Sequence, residues 1–180
     1  MIVSAVIYLL FAALLVMAAV IDLRTLRIPN VLIVGLGALW LVWRVALACG
    51  GMIAGTDFLT SFLAPDPFKH VSFANGIIGS IALGGGLLVV TAVYEAVSKK
   101  RAMGGGDIKL LAVVGLFLGI ERGIVCLFVA CVVCLLFALL WPRVQWGDRS
   151  VATEGGYPVL RELPFGPSIA IGAAAALFVF

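Results

Sequence analysis

Two carboxylates stand where an apolar chain accommodates charge least easily. Asp107 follows Gly104, Gly105 and Gly106 and opens one hydrophobic stretch, while Asp22 closes another. An ionisable group at such an edge is costly and marks a functional site by default. Taken singly, each acid has an ordinary explanation: Asp107 as the cap of a helix N-terminus, Asp22 as a boundary residue balanced by Arg24 or wetted by the interface. As a pair they are capable of more. Two carboxyls in one site do not both ionise easily, so one keeps a proton near neutral pH while the other stays charged. The ionised acid takes a proton from water as the protonated one polarises an amide carbonyl, which is sufficient chemistry to hydrolyse a peptide bond. The glycines fit the same purpose, because a backbone without Cβ atoms admits an extended peptide and is free to adopt positive φ.

The elements that must position these acids are set by composition. With 64% hydrophobic and 12% charged residues and a mean hydropathy of +1.25, the chain lies far from soluble domains, of which about a quarter is charged. It reads as an all-α, polytopic membrane protein. Crossing a hydrocarbon core of about 30 Å takes about 20 apolar residues in a helix, and long runs without period-two alternation exclude a barrel. Six spans are expected: Ile2 to Ile21, Ile28 to Ala48, Asn75 to Val97, Ile108 to Ile120, Ile124 to Trp141 and Phe165 to Phe180. The expected fold is therefore a six-transmembrane-helix bundle. The span after Asp107 is short, about 20 Å at 1.5 Å per residue, which predicts that Asp107 lies below the membrane surface in a wetted cavity.

Basic residues orient the bundle. Arg24, Arg27, Lys99, Lys100, Arg101, Lys109, Arg143, Arg149 and Arg161 fall on one side of a six-span arrangement, and Arg44, Lys69 and Arg122 on the other. The first side is expected to be cytoplasmic, with the N-terminus outside and both acids at the inner face. The net charge of +3 reflects this topology and calls for no nucleic-acid partner. The connection from Cys49 to Ala74 is rich in glycine and proline and reads as an irregular outer loop with one interfacial turn. The polar segment from Pro142 to Pro164 is the sizeable inner excursion. Neither is able to build a core of its own, so residues 1–180 are expected to form a single integral-membrane domain.

Other chemistries find little support. Cys126, Cys131 and Cys134 share one apolar run and read as small hydrophobes; the C-x-x-C formed by the last two lacks further zinc ligands. The single histidine, His70, leaves no histidine-based metal site, so neither metal nor cofactor is expected. Ser168 is a poor nucleophile candidate because His70 is expected across the bilayer. Glu95, with Lys99 four residues on, suits a helix-surface pair, and the remaining acids suit solvated loops or helix ends. Gly115 and Gly119, and Ser80 and Gly84, have the spacing of close helix contacts. Trp40 and Trp43 with Arg44 suit the outer interface as anchors, and Trp141 and Trp146 the inner one.

Asp22 with Pro29 and Asn30 in Asp22-Leu-Arg-Thr-Leu-Arg-Ile-Pro29-Asn30, together with Gly104-Gly-Gly-Asp107-Ile-Lys109-Leu, resembles the type IV prepilin peptidases, a family of GxGD-type intramembrane aspartyl proteases. Pro164-Phe165-Gly166-Pro167 is similar to a further feature of that family. The resemblance implies that Asp22 and Asp107 are the catalytic pair. It implies a prepilin or pseudopilin substrate whose short basic leader is cut at the cytoplasmic face of a prokaryotic inner membrane. Gly104, Gly105, Gly106, Pro29, Asn30 and Lys109 then stand as substrate-binding or supporting residues, with Lys109 orienting a headgroup phosphate or substrate carbonyl, or serving only as an inner-face charge. Larger members carry an N-terminal extension with paired C-x-x-C zinc motifs and methylate the new N-terminus. Here Met1 leads directly into the first span, so the chain is expected to lack that extension and to resemble the short peptidases of Flp or Tad pilus systems, or the archaeal preflagellin peptidases.

Helix direction adds one expectation. Asp22 sits at the C-terminal end of its helix and Asp107 at the N-terminal end of its own, and the two dipoles would push the shared proton toward Asp22. The competing functions are a proton- or cation-coupled transporter using the same two acids and a non-enzymatic assembly scaffold.

Overall fold

Apolar runs in this chain become helices because an unpaired backbone amide has no partner in a hydrophobic surrounding and a helix satisfies its amides internally. The computed structural model describes residues 2–25, 28–63, 71–98, 104–140 and 165–179. In chain order these form α1 (Ile2–Thr25), α2 (Asn30–Ile53), the short α3 (Phe58–Leu63), α4 (Phe73–Ser80), a π-helical turn (Ile81–Gly85), α5 (Gly86–Ser98), α6 (Gly105–Leu140) and α7 (Gly166–Val179). Among the described residues, four helices are long and apolar enough to cross a membrane: Val6–Thr25, Asn30–Ile53, Phe73–Ser98 and Gly105–Phe137; Gly166–Phe178 is a shorter apolar helix.

The boundaries differ from expectation in ways that matter for the acids. Helix α1 continues past Ile21 and so carries Asp22 inside its last turn, where Thr25 Oγ1 donates back to the Ile21 carbonyl at 2.9 Å. Helix α2 begins after Pro29, whose φ of −66° and ψ of 133° stop the preceding chain from being helical, and Leu32 N donates to Pro29 O at 3.0 Å. Its far end reaches Ile53, and α3 occupies part of the expected outer loop. The inner segment from Pro142 to Pro164 lies outside the described residues, as do His70, Lys99, Trp141 and Trp146.

Helix α6 does not run straight. At Gly119 the backbone takes φ 71° and ψ −176°, a region that essentially only glycine occupies. Asn75 of α4 sits at this break, its Oδ1 accepting from Ile120 N at 3.2 Å and so satisfying an amide that the interrupted helix leaves over. The expected spans end at Ile120 and resume at Ile124, whereas the backbone breaks one residue earlier, at Gly119. Beyond the break the chain turns back. Cys126 Sγ lies 3.8 Å from the Ile169 carbonyl of α7, and Cys134 is close enough to Asp107 to feel its charge. A straight helix would hold those two residues about 40 Å apart at 1.5 Å per residue.

The first half of α6 is the centre of the core. Leu110, Leu111, Val114, Phe117 and Leu118 are buried there with Phe11 and Leu15 of α1, Leu36 of α2 and Ile169, Ala173 and Ala176 of α7. Phe11 stacks on Phe117 with centroids 4.2 Å apart. On the other flank, α4 and the π-helical turn approach α6 through small residues. A Cβ on Gly79 would fall 2.7 Å from the Gly115 carbonyl oxygen, and one on Gly115 would fall 2.6 Å from that of Gly79. The small-residue spacings read from sequence therefore mark real seams, with Gly84 meeting Ala112 beside them.

One expectation is overturned here. Trp40, Trp43 and Arg44 are buried at 8, 4 and 2% exposure, not splayed as interfacial anchors. The Arg44 guanidinium lies over the rings of Trp40 at 5.8 Å and Phe73 at 5.5 Å, so aromatic faces enclose the charge within the protein. The outward surface is apolar, as at Leu9, Val31, Ile53, Val97 and Phe178.

Candidate active site

Asp22 is 4% exposed although it carries a carboxylate. Its position follows from α1 running on to Thr25, which places the side chain on the buried face that also presents Leu15 and Ala18. Across from it begins α7. Gly166 N donates to Asp22 Oδ2 at 2.9 Å, and a Cβ on Gly166 would fall 2.8 Å from that oxygen and 3.1 Å from Cγ. Ile169 N bonds to Phe165 O at 3.0 Å, so Gly166 is the first residue of the helix and its amide is one that the helix itself leaves unsatisfied. The next residue, Pro167, has no amide hydrogen to satisfy. Asp22 thus caps α7 from another helix. An intramolecular hydrogen bond contributes about 0.5–1.5 kcal/mol net, of the same order as the roughly 0.3–1 kcal/mol of a helix-end charge.

Asp107 occupies the first turn of α6 and is half-buried. Asp107 N donates to Gly104 O at 3.1 Å, which closes that turn. The three glycines differ in surroundings. A Cβ on Gly104 would fall 3.0 Å from Asp107 Oδ2, one on Gly106 would fall 3.3 Å from Ile28 Cβ, and one on Gly105 would meet nothing within 4 Å. None of them takes positive φ; among the described residues only Gly55 and Gly119 do. The expected left-handed freedom of this run is not used, because Gly105 and Gly106 have already entered the helix.

The two sequence motifs meet. Ile28, next to Pro29, packs against Gly106, and Lys109 Nζ donates to Asn30 Oδ1 at 3.4 Å. Lys109 and Asn30 are both exposed, so this is a surface contact joining the starts of α2 and α6. A Cβ on Gly105 would meet none of the described residues, and Pro29 acts on the backbone of α2.

Sequence reasoning passed over two residues at this end of the molecule. Gly166 contributes through its backbone amide, and its signal was the Phe165-Gly166-Pro167 run, which was noted without a role. Ser168, weighed as a nucleophile, is 2% exposed and lies beside Cys134 of α6. Cys134, in turn, lies within range of the Asp107 charge. The first turn of α7 therefore touches Asp22 on one side and the α6 hairpin that carries Asp107 on the other. Among the described residues no three His, Cys, Asp or Glu side chains group as metal ligands.

Comparison with known proteins covers this same region. The Type IV leader peptidase family matches residues 9–139, a stretch that contains both acids. The Prepilin leader peptidase/N-methyltransferase of Pectobacterium carotovorum subsp. carotovorum is 26% identical over 171 residues, covering 95% of this chain and 50% of the relative. The protein of the same name from Dickeya chrysanthemi is 28% identical over 159 residues, 88% of this chain and 45% of its own length. That from Neisseria gonorrhoeae is 31% identical over 101 residues, 56% of this chain and 30% of its own. The chain thus spans half or less of the length of these curated relatives. No solved structure matches it. With the family match covering most of its length, the chain belongs to the type IV leader peptidase family.

Proposed function

We propose that this chain is a multi-pass aspartyl endopeptidase of a prokaryotic inner membrane that removes the short basic leader from prepilin or pseudopilin substrates. The observation that carries the proposal is the buried Asp22, bonded to the Gly166 amide at the start of α7, together with Asp107 in the first turn of α6, both acids lying inside the segment matched by the family. In this reading one acid holds a proton and polarises the scissile carbonyl while the other, ionised, takes a proton from the attacking water. The new amine leaves with a proton, and the pair returns to its shared-proton state. The bare backbone at Gly105 supports an extended substrate beside Asp107, since none of the described residues lies within 4 Å of where its Cβ would be.

The break at Gly119 supports six crossings: α1, α2, the α4–α5 run, the two halves of α6, and α7. The first half of α6 is only about 20 Å long at 1.5 Å per residue. A wetted recess around Asp107 follows, because this length falls short of the hydrocarbon thickness of about 30 Å. The basic residues put that recess at the cytoplasmic face. The methylating activity in the relatives' names is not part of the proposal.

The test is cleavage of a purified prepilin by the chain in detergent or liposomes, beside Asp22→Asn and Asp107→Asn. Each substitution is expected to lower kcat at least a thousandfold without loss of the folded state. Normal cleavage by either variant sinks the aspartyl reading; pH-driven ion flux with no cleavage moves the assignment to a transporter.

A further inference from the structure

Asp22 and Asp107 belong to helices separated by most of the chain, and a shared proton requires their carboxyls to be held at a fixed separation. Helix α7 is the element that touches the surroundings of both. Its first residue, Gly166, donates its amide to Asp22 Oδ2 at 2.9 Å. One half-turn further, the buried Ser168 lies beside Cys134, on the returning half of α6 within range of the Asp107 charge, and α7 is seated on that half where Cys126 Sγ lies 3.8 Å from the Ile169 carbonyl and Gly172 packs against Cys126 and Ala130. Three details show that this turn is closely fitted. A Cβ on Gly166 would lie 2.8 Å from the Asp22 oxygen, so any side chain at this position displaces the carboxyl. Pro167 fixes the backbone immediately after the donating amide and brings no competing donor. Ser168 is 2% exposed, so its hydroxyl is engaged in packing and not offered to a substrate.

We propose that the first turn of α7 is the positioning element of the acid pair: the Gly166 amide orients Asp22, and Ser168 through Cys134 sets the α6 hairpin that bears Asp107. Gly166 and Ser168 are positioning residues. They contact neither water nor substrate in the reaction, and their effect on it passes through the two acids. The proposal rests on the aspartyl-peptidase reading and extends it to a specific source of pre-organisation, since catalytic groups a fraction of an ångström out of place lose much of their rate advantage.

The test uses the full chain in liposomes with a prepilin substrate, comparing Gly166→Ala and Ser168→Ala with the wild type. Gly166→Ala is expected to lower kcat at least thirtyfold with KM within twofold, and Ser168→Ala to lower kcat three- to tenfold with the same KM. An infrared band assigned to Asp22 by its loss in Asp22→Asn is expected to move in Gly166→Ala, a shift that general loosening of α7 would not produce. Wild-type kcat in either variant, or an unmoved Asp22 band, overturns the proposal. Should Gly166→Ala fail to fold, Ser168→Ala decides alone by the same kcat criterion. The parent reading fails separately: if Asp22→Asn and Asp107→Asn cleave normally the acids are not catalytic, whereas if both are inactive and the α7 variants match wild type only the positioning role is lost.

Discussion

A methyl group on Gly105 would meet nothing within 4 Å, while one on Gly104 would press on the Asp107 carboxyl and one on Gly106 would press on Ile28. The three adjacent glycines thus answer to different demands. Gly104 and Gly106 have internal reasons to be glycine. Gly105 has none among the described residues, and as a helix residue it is less favourable than alanine by roughly 0.5–1 kcal/mol. If its bare backbone faces substrate, Gly105→Ala is expected to melt at the same temperature or higher while kcat/KM for prepilin falls at least tenfold. Unchanged kcat/KM would remove Gly105 from the substrate path. At this scale the sequence showed the acids clearly, because a carboxylate in an apolar run stands out by type alone. It did not show the partner of Asp22. That partner is a backbone amide, common to nearly every residue, and it comes from a helix 144 positions away. Arg44, Trp40 and Trp43 were misplaced for a related reason: their types suit a membrane interface and an aromatic cage equally well, and only the packing of Phe73 against them selects the cage.

Helices were the most legible elements, since hydropathy and length determine them before any packing is known. Their interruptions were less so. The break expected between Ile120 and Ile124 spans Glu121 and Arg122, but helix continues through both, and the chain turns instead at Gly119. Polarity reports where a chain meets water; reversal requires a permitted backbone conformation, and only glycine permits φ 71° with ψ −176° at little cost. The tight fit of Gly119 to Asn75, where a Cβ would fall 3.0 Å from Nδ2, removes room for any relief. Gly119→Ala is therefore expected to destabilise the folded state by about 1–3 kcal/mol through backbone strain, measured as a lowered midpoint of denaturant unfolding in detergent. Asn75→Leu tests the same junction from the other side, leaving Ile120 N without its acceptor at a cost of about 1–3 kcal/mol. A midpoint unchanged in both variants would show that the reversal is not held at this glycine.

For the whole molecule the decisive question is which face of the membrane the acids occupy, because a leader cut on the cytoplasmic side demands that end of the bundle. The ends of α1 and the starts of α2, α6 and α7 gather there, joined by the contacts of Asp22 with Gly166, Gly106 with Ile28, and Lys109 with Asn30. Arg24 also lies at this end, in the last turn of α1, and is exposed. Asp57, exposed in the turn between α2 and α3, marks the opposite end, a helix length of about 36 Å away at 1.5 Å per residue. The excess of Lys and Arg expected from the sequence on the side of the acids is the support for the proposed cytoplasmic face. In a background lacking the four native cysteines, Asp57→Cys is expected to react with a membrane-impermeant maleimide in intact cells, and Arg24→Cys only after the membrane is permeabilised. The reverse pattern would put both acids on the outer face. A leader cut before the pilin is exported could not reach them there, so the orientation measurement bears on the proposed substrate as directly as it bears on the topology.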